Sequence, residues 1–296
     1  MSKKVTLIGA GIASLSAASF LAKAGYDVTI LEKNSTIGGR ARQFKTDGFV
    51  FDMGPSWYWM PDVFERFYEQ FGHTSSDFYT LKRLDPSYRI YWPDHDFTDI
   101  PANYTEMENW FESLEPGSSI QLKAFLKEAE YKYEVGMKDL VFRPSLSLLE
   151  FVDMRILKGL FQLDLTKPFS KYIRKYFKHP KLISMLEFPV LFLGAMPNET
   201  PALYSLMNYA DISLGTWYPM GGMFKFIEAF EKIALEQGVK IITDAEVTSF
   251  DCEGEKVVAA RTKDQVFTSD VFISGADYQH TDDKLLGDKA NYTDSY

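Results

Sequence analysis

VTLIGAGIASLSAASFLAKAGYDVTILEKNSTIGGR, residues 5–40, carries two short apolar runs separated by a glycine turn and a helical repeat. Residues 4–9 are β-branched and end in glycine, as in a buried parallel strand. After Gly9-Ala10-Gly11, Ile12, Leu15, Ala18, Leu21 and Ala22 recur at helical spacing, and Gly25 closes the helix. A second strand, 27–32, ends on Glu32, 21 residues after Gly11. The glycines permit a tight turn and let backbone amides reach a pyrophosphate at the helix start. An acid at the end of the second strand accepts from ribose hydroxyls and disfavours a 2′-phosphate. The third glycine of G-x-G-x-x-G is replaced: Ser14 stands there, preceded by Ala13, and both are small enough for close helix–strand packing. Ile12, Ala13 and Ser14 are thus the predicted first helical turn over the nucleotide.

Composition narrows the class. The chain has 296 residues, 46% hydrophobic and 16% aromatic, enough for two domains and a sizeable core. Its net charge of −9 argues against a nucleic-acid partner. The single cysteine, Cys252, excludes disulfides within the chain and thiolate zinc sites and suits a reducing cytoplasm. His73, His95, His179 and His280 are scattered and suggest no metal site. No window reaches the ~18 apolar residues of a membrane span, and the N-terminus does not read as a signal peptide.

Lys33 and a short spacer lead from Glu32 to Gly38-Gly39-Arg40. Two glycines let amides approach phosphate, and the arginine adds a fixed charge. A hairpin follows, turning at Asp47-Gly48, and ends in Asp52-Met53-Gly54-Pro55-Ser56. Beyond it the pattern predicts a helix over 61–72, a hairpin over 88–100, a helix over 118–139 and one over 223–237. Strands are expected at 239–243, 246–250, 256–262, 265–267 and 270–274. The fold class is α/β: a discontinuous Rossmann-like domain, 1–72 and 216–296, around an inserted, mostly helical α+β substrate domain, 73–215.

The Glu32–Arg42 and Gly48–Ser56 stretches resemble the fingerprints of large FAD-dependent oxidoreductases. With "PVLFLGAMP" at 189–197, "YSLMNYA" at 204–210, "WYPMGG" at 217–222 and "ISGAD" at 273–277, the chain resembles a bacterial carotenoid desaturase of the phytoene desaturase type. The resemblance implies FAD, held by Gly9, Gly11, Glu32, Lys33, Gly38, Gly39 and Arg40, with the ring reached near Gly54, Pro55 and Ser56. It implies further contacts at Val247, Gly275 and Asp277, where the chain re-enters the flavin domain. It implies desaturation of a C40 polyene with hydride passing to the flavin, and reoxidation by a quinone or oxygen. Asp153 and Arg155 fall where some relatives carry their proposed catalytic pair. A related retinol saturase or amine oxidase is the alternative reading. The family fold needs a last strand and helix that this sequence lacks, so an N-terminal fragment, inactive alone, is expected.

Residues 155–181 hold Arg155, Lys158, Lys167, Lys171, Arg174, Lys175, Lys178 and Lys181 against the single acid Asp164. Within the overlapping stretch 151–165, Phe151, Met154, Leu157, Phe161 and Leu165 line a separate face. A basic amphipathic segment in an acidic chain is expected to lie on an anionic membrane. That makes the protein cytoplasmic and peripheral on the inner face. "EFPVLFLGAMP", 187–197, is expected as a buried helix or a lining of the substrate path.

Overall fold

The computed structural model describes residues 2–138, 140–143, 147 and 164–290. The chain forms two compact units, Met1–Tyr58 with Asp62–Leu81 and Tyr218–Tyr296, and Trp59–Pro61 with Lys82–Trp217. The first unit reaches Leu81 instead of stopping at 72. Tyr79 explains this, because its buried hydroxyl bonds those of Tyr58 and Tyr68, both at 2.8 Å.

The first unit is built on a parallel four-stranded sheet. Strand β1 (Lys4–Ile8) leads to helix α1 (Ile12–Lys23) and strand β2 (Asp27–Leu31). Strand Val271–Ser274 pairs with β1 on its other side, and Lys240–Ile242 pairs with β2. The order is therefore 271–274, β1, β2, 240–242. Val5, Leu7, Val28 and Ile30 are almost wholly buried, as central parallel strands require. The buried face of α1 is Ser14, Leu15, Ala18 and Ser19: Leu15 and Ala18 belong to the apolar set read from the sequence, while Leu21 and Ala22 are only half-buried. Ile12 at the helix start is exposed, and small residues face inward. Ser19 satisfies its hydroxyl by donating to the Leu15 carbonyl at 2.8 Å. Helix α1 packs on helix Phe224–Glu236, which buries Phe226, Ile227, Phe230 and Ile233 at helical spacing.

An antiparallel sheet, Ser249–Glu253, Lys256–Arg261 and Val266–Thr268, completes this unit. The strand expected at 246–250 begins later, at Ser249. Asp244 takes a left-handed conformation, φ 53°, and Ala245 and Val247 turn into a cluster with Ile8, Leu31, Ala260 and Leu285. The hairpin Gln43–Thr46 and Phe49–Asp52 turns at Asp47 and Gly48, with φ of 49° and 82°. Positive φ at both positions is the turn that matches the strand twist. The helix expected over 61–72 ends at Glu69.

The second unit is mostly helical, with Tyr104–Leu114, Ser118–Lys138 and Pro180–Glu187 and a hairpin of Tyr88–Tyr91 and Phe97–Ile100. Asn103 caps the first of these helices by accepting from the Thr105 and Glu106 amides. Leu122, Phe125, Leu126, Ala129 and Tyr133 bury one stripe of the long helix. Phe177 packs on Phe111 and Phe125, ring centroids 5.4 and 6.0 Å apart. Lys132 is fully buried: its ammonium meets Asp164 at 3.2 Å and the Ala202 carbonyl at 3.3 Å, and it sits 3.8 Å above the Tyr172 ring. Tyr209–Leu214 forms a widened, π-helical turn.

Helix Phe224–Glu236 has no capping side chain of its own at its start. Asp52, at the end of the first hairpin, accepts from the Met223 amide at 2.8 Å and the Phe224 amide at 3.3 Å instead. Asp52→Ala should therefore destabilise the protein by about 1 kcal/mol, as for a lost helix cap, and lower the melting temperature.

Candidate functional site

The site is built where four chain segments of the first unit meet at the carboxyl end of the parallel sheet. The turn after β1 is tied on three sides. The Gly9 amide donates to the Leu31 carbonyl at 2.7 Å, the Gly275 amide to Ile8 at 2.9 Å, and the Gly38 amide to Ala10 at 2.9 Å. Gly9, Gly38 and Gly39 all have positive φ.

Two glycines are required by space rather than by dihedral angle. A Cβ on Gly54 would lie 2.0 Å from the Arg40 carbonyl oxygen. A Cβ on Gly275 would lie 2.0 Å from the Ser14 hydroxyl. The serine at the third motif position is thus accommodated by a glycine on the returning strand. Gly39 closes the far side: its Cβ would stand 3.2 Å from the Gly11 Cα.

Glu32 is 3% exposed, and both its oxygens are engaged. Oε2 accepts from the Ala10 amide at 2.7 Å; Oε1 accepts from the Asn34 amide at 2.9 Å and the Asn34 side chain at 2.6 Å. The carboxylate thereby holds the end of β2 against the glycine turn. Charge-assisted bonds of this kind are about twice as strong as neutral ones.

Helix α1 begins after Gly11 with no side-chain cap and no acid in its first turn. Its amides and the positive end of its dipole are left for an anion. Ile12 and Ala13 are exposed, whereas Ser14 is buried and its hydroxyl has no hydrogen-bond partner among the described residues. Arg40 reaches Asp277 at 3.5 Å, with both side chains mostly exposed, so the pair is weakly held. Asp277 also accepts from the Gln279 and His280 amides. Lys33, Pro55 and Ser56 are exposed. An uncapped helix start, a surface of backbone without Cβ atoms and one exposed arginine fit a dinucleotide with a pyrophosphate.

The structure brings Gly9, Gly11, Ser14, Glu32, Gly38, Gly39, Arg40, Gly54, Gly275 and Asp277 together through these contacts. Val247 differs, because its side chain belongs to the core cluster described above. Asp153 and Arg155 lie outside the described residues, as does 155–163 of the basic segment. In the rest of that segment Lys171, Arg174, Lys175 and Lys178 are exposed, while Tyr172, Ile173 and Phe177 point inward. Arg174 pairs with Glu187, Lys167 with Asp164 at 2.5 Å and Lys181 with Asp96 at 2.5 Å. The cations are therefore partly neutralised locally. Leu191, Phe192, Leu193 and Met196 of the run 187–197 are exposed, while Pro189 and Val190 are buried.

Asn34 and Asp52 were not singled out by sequence reasoning. Asn34 had a signal, an amide two residues beyond a strand-end acid. Asp52 had only an indirect one: the glycines before helix Phe224–Glu236 offer no cap, so an acceptor must come from elsewhere.

A parallel sheet with a glycine-turn helix start, closed by a second glycine pair and a returning strand, defines a dinucleotide-binding unit. The chain belongs to the family described as flavin-containing amine oxidoreductase, whose model matches residues 12–284, and a flavin is its cofactor. It is 40% identical over 294 residues to a carotenoid 3,4-desaturase of Haloarcula japonica, covering 99% of this chain and 59% of that protein. It is 31% identical over 289 residues to a zeta-carotene-forming phytoene desaturase of Myxococcus xanthus, covering 97% and 56%. The chain thus spans under two thirds of these relatives' lengths. Among solved structures, an oxidoreductase from Methanosarcina mazei shares the fold with a TM-score of 0.64 at 19% identity, covering 99% of this chain and 63% of that one. A putrescine oxidase does so with a TM-score of 0.56 at 15% identity, covering 92% and 58%.

Two outcomes follow from the geometry. Gly275→Ala should destabilise the protein by about 1–3 kcal/mol through overpacking, and Ser14→Gly should restore part of that loss in the double variant, read by thermal melting. Glu32→Ala should lower flavin retention about tenfold, read as flavin absorbance per protein after gel filtration, because it releases the Ala10 and Asn34 amides.

Proposed function

We propose that the protein is a FAD-dependent desaturase of a carotenoid precursor, a C40 polyene of the phytoene type. The observation that carries this reading is the 40% identity, over nearly the whole chain, to a carotenoid 3,4-desaturase, joined to an intact glycine cradle. FAD is favoured over a mononucleotide because the chain offers both an anion site at the start of α1 and a strand-end carboxylate. The α1 amides, with Gly38 and Gly39, would hold the pyrophosphate. Glu32 would accept from the ribose hydroxyls while keeping the turn in place, and Arg40 would turn from Asp277 to phosphate. Gly54 to Ser56 would bring backbone to the ring.

Bound flavin would supply a two-electron acceptor for a hydride leaving a CH–CH unit. The chain must bind the polyene, exclude water and receive a proton. The exposed apolar residues Leu191, Phe192, Leu193 and Met196 suit polyene contact. Asp153 and Arg155 remain the proposed proton-handling pair by family resemblance. A quinone or oxygen is proposed as the final electron acceptor. Lys171, Lys175 and Lys178, three exposed cations beside the Arg174–Glu187 pair, are proposed to hold the protein on the inner, anionic face of a membrane, each worth about 1 kcal/mol near the surface.

The test compares substrates on the flavin-loaded protein without oxygen. A phytoene-type polyene in lipid should bleach the oxidised flavin and shift its own absorbance to longer wavelength by one desaturation step, while a primary amine should not. Bleaching by the amine alone would establish the amine oxidase reading in its place.

A further inference from the structure

Within the second unit one buried carboxylate holds two aromatic rings. Asp211, 3% exposed, sits on the π-helical turn Tyr209–Leu214. Such turns widen a helix and recur at functional sites. The Tyr88 hydroxyl donates to its Oδ2 at 2.6 Å, and the Thr216 hydroxyl donates to its Oδ1 at 2.9 Å. The Trp59 indole in turn donates to the Thr216 oxygen at 2.8 Å. Tyr88 and Trp59 both pack on Phe188, with centroids 5.3 and 6.4 Å apart. Trp59 also meets Phe192 edge-on at 5.6 Å, and Phe192 is exposed. The chain of contacts thus runs from a buried charge to the apolar surface of the 187–197 run.

The other charged group acting on Asp211 is Arg83. Its guanidinium occupies the space where Gly215 would carry a Cβ, 0.5 Å from Nη1, and lies 5.7 Å from the Trp217 ring centroid. Gly215 has φ 96°, so both conformation and space reserve the position for glycine. Asp85 balances Arg83 in turn. Burial makes the carboxyl costly to keep ionised, the two hydroxyl donors and Arg83 offset that cost only in part, and a purely structural site would be served as well by an uncharged pair.

We propose that Asp211 is a positioning residue for the polyene: through Tyr88 directly, and through Thr216 to Trp59, its carboxylate fixes the aromatic wall formed with Phe188 and Phe192. This rests on the polyene reading above. Burial pushes the Asp211 carboxyl up to about 6, against the lowering effect of Tyr88, Thr216 and Arg83. Above that pH both donors meet a charged acceptor. Below it the protonated carboxyl becomes a donor at one oxygen, one of the two hydroxyls must reverse, and the wall is held by weaker neutral bonds.

The experiment measures KM for a lipid-dispersed polyene between pH 5 and 8 on the flavin-loaded wild type, Asp211→Asn and Asp211→Ala. Wild-type KM should rise about threefold as pH falls through 6. Asp211→Asn should show that raised value at every pH, and Asp211→Ala about a tenfold increase, with flavin content unchanged in all three. Thermal melting separates positioning from mere structure. The folded carboxyl binds its proton more tightly than the unfolded one, so the wild type loses stability as pH rises from about 4 to 6. Asp211→Asn should therefore melt higher than wild type above pH 6 while binding polyene less well. A residue needed only for folding would lower both together. Identical, pH-flat KM values in wild type and Asp211→Asn overturn the proposal while leaving the polyene reading standing. A wild type that turns over no polyene removes both.

Discussion

The nucleotide unit depends on close approach between segments from distant parts of the chain. Three loops make these approaches: the Gly38-Gly39 turn at Gly11, the end of the first hairpin at the Arg40 carbonyl and the returning strand at the Ser14 hydroxyl. Each carries a glycine at its closest approach, and two of those positions leave only 2.0 Å for a side chain. The constraint also explains why Ser14 is tolerated where a glycine is usual. Helix–sheet packing has one vacancy to distribute, and here the strand supplies it.

Hydrogen bonding does the complementary work. Glu32 closes the turn on one side and Asn34 on the other, so the acid proposed to accept from the ribose is also part of the scaffold. A group with both duties cannot be replaced without loosening the turn, which ties cofactor recognition to local order. Asp52 has a similar double position: it ends a hairpin beside Gly54 and caps a helix 171 residues later in the chain.

Much of this unit was legible because local rules govern it. The strand–glycine–helix–strand–acid order of residues 4–32 and the Asp47-Gly48 turn each announce themselves within a few residues. What escaped the sequence depended on distant partners. Val247 reads as strand, yet its burial with Ala245, Leu285 and Ala260 bends the chain before pairing begins. The Asp52 cap is invisible without the fold. Lys132 reads as a solvated helix position and is buried only because Asp164 and the Ala202 carbonyl meet it. Asp211 reads as one more polar residue in an apolar run, and only tertiary contacts make it a shared acceptor for Tyr88 and Thr216.

The central strand β1 has its outer neighbour very late in the chain. The Lys4 amide bonds Asp270 across a separation of 266 residues. At about 5–20 residues per second, a ribosome needs on the order of ten to fifty seconds to make the chain between them. Until then β1 lacks its outer partner, and a parallel pair with an open apolar edge is a slow-forming and association-prone arrangement. The described sheet thus gains this outer strand only after the whole of the intervening helical unit has been made.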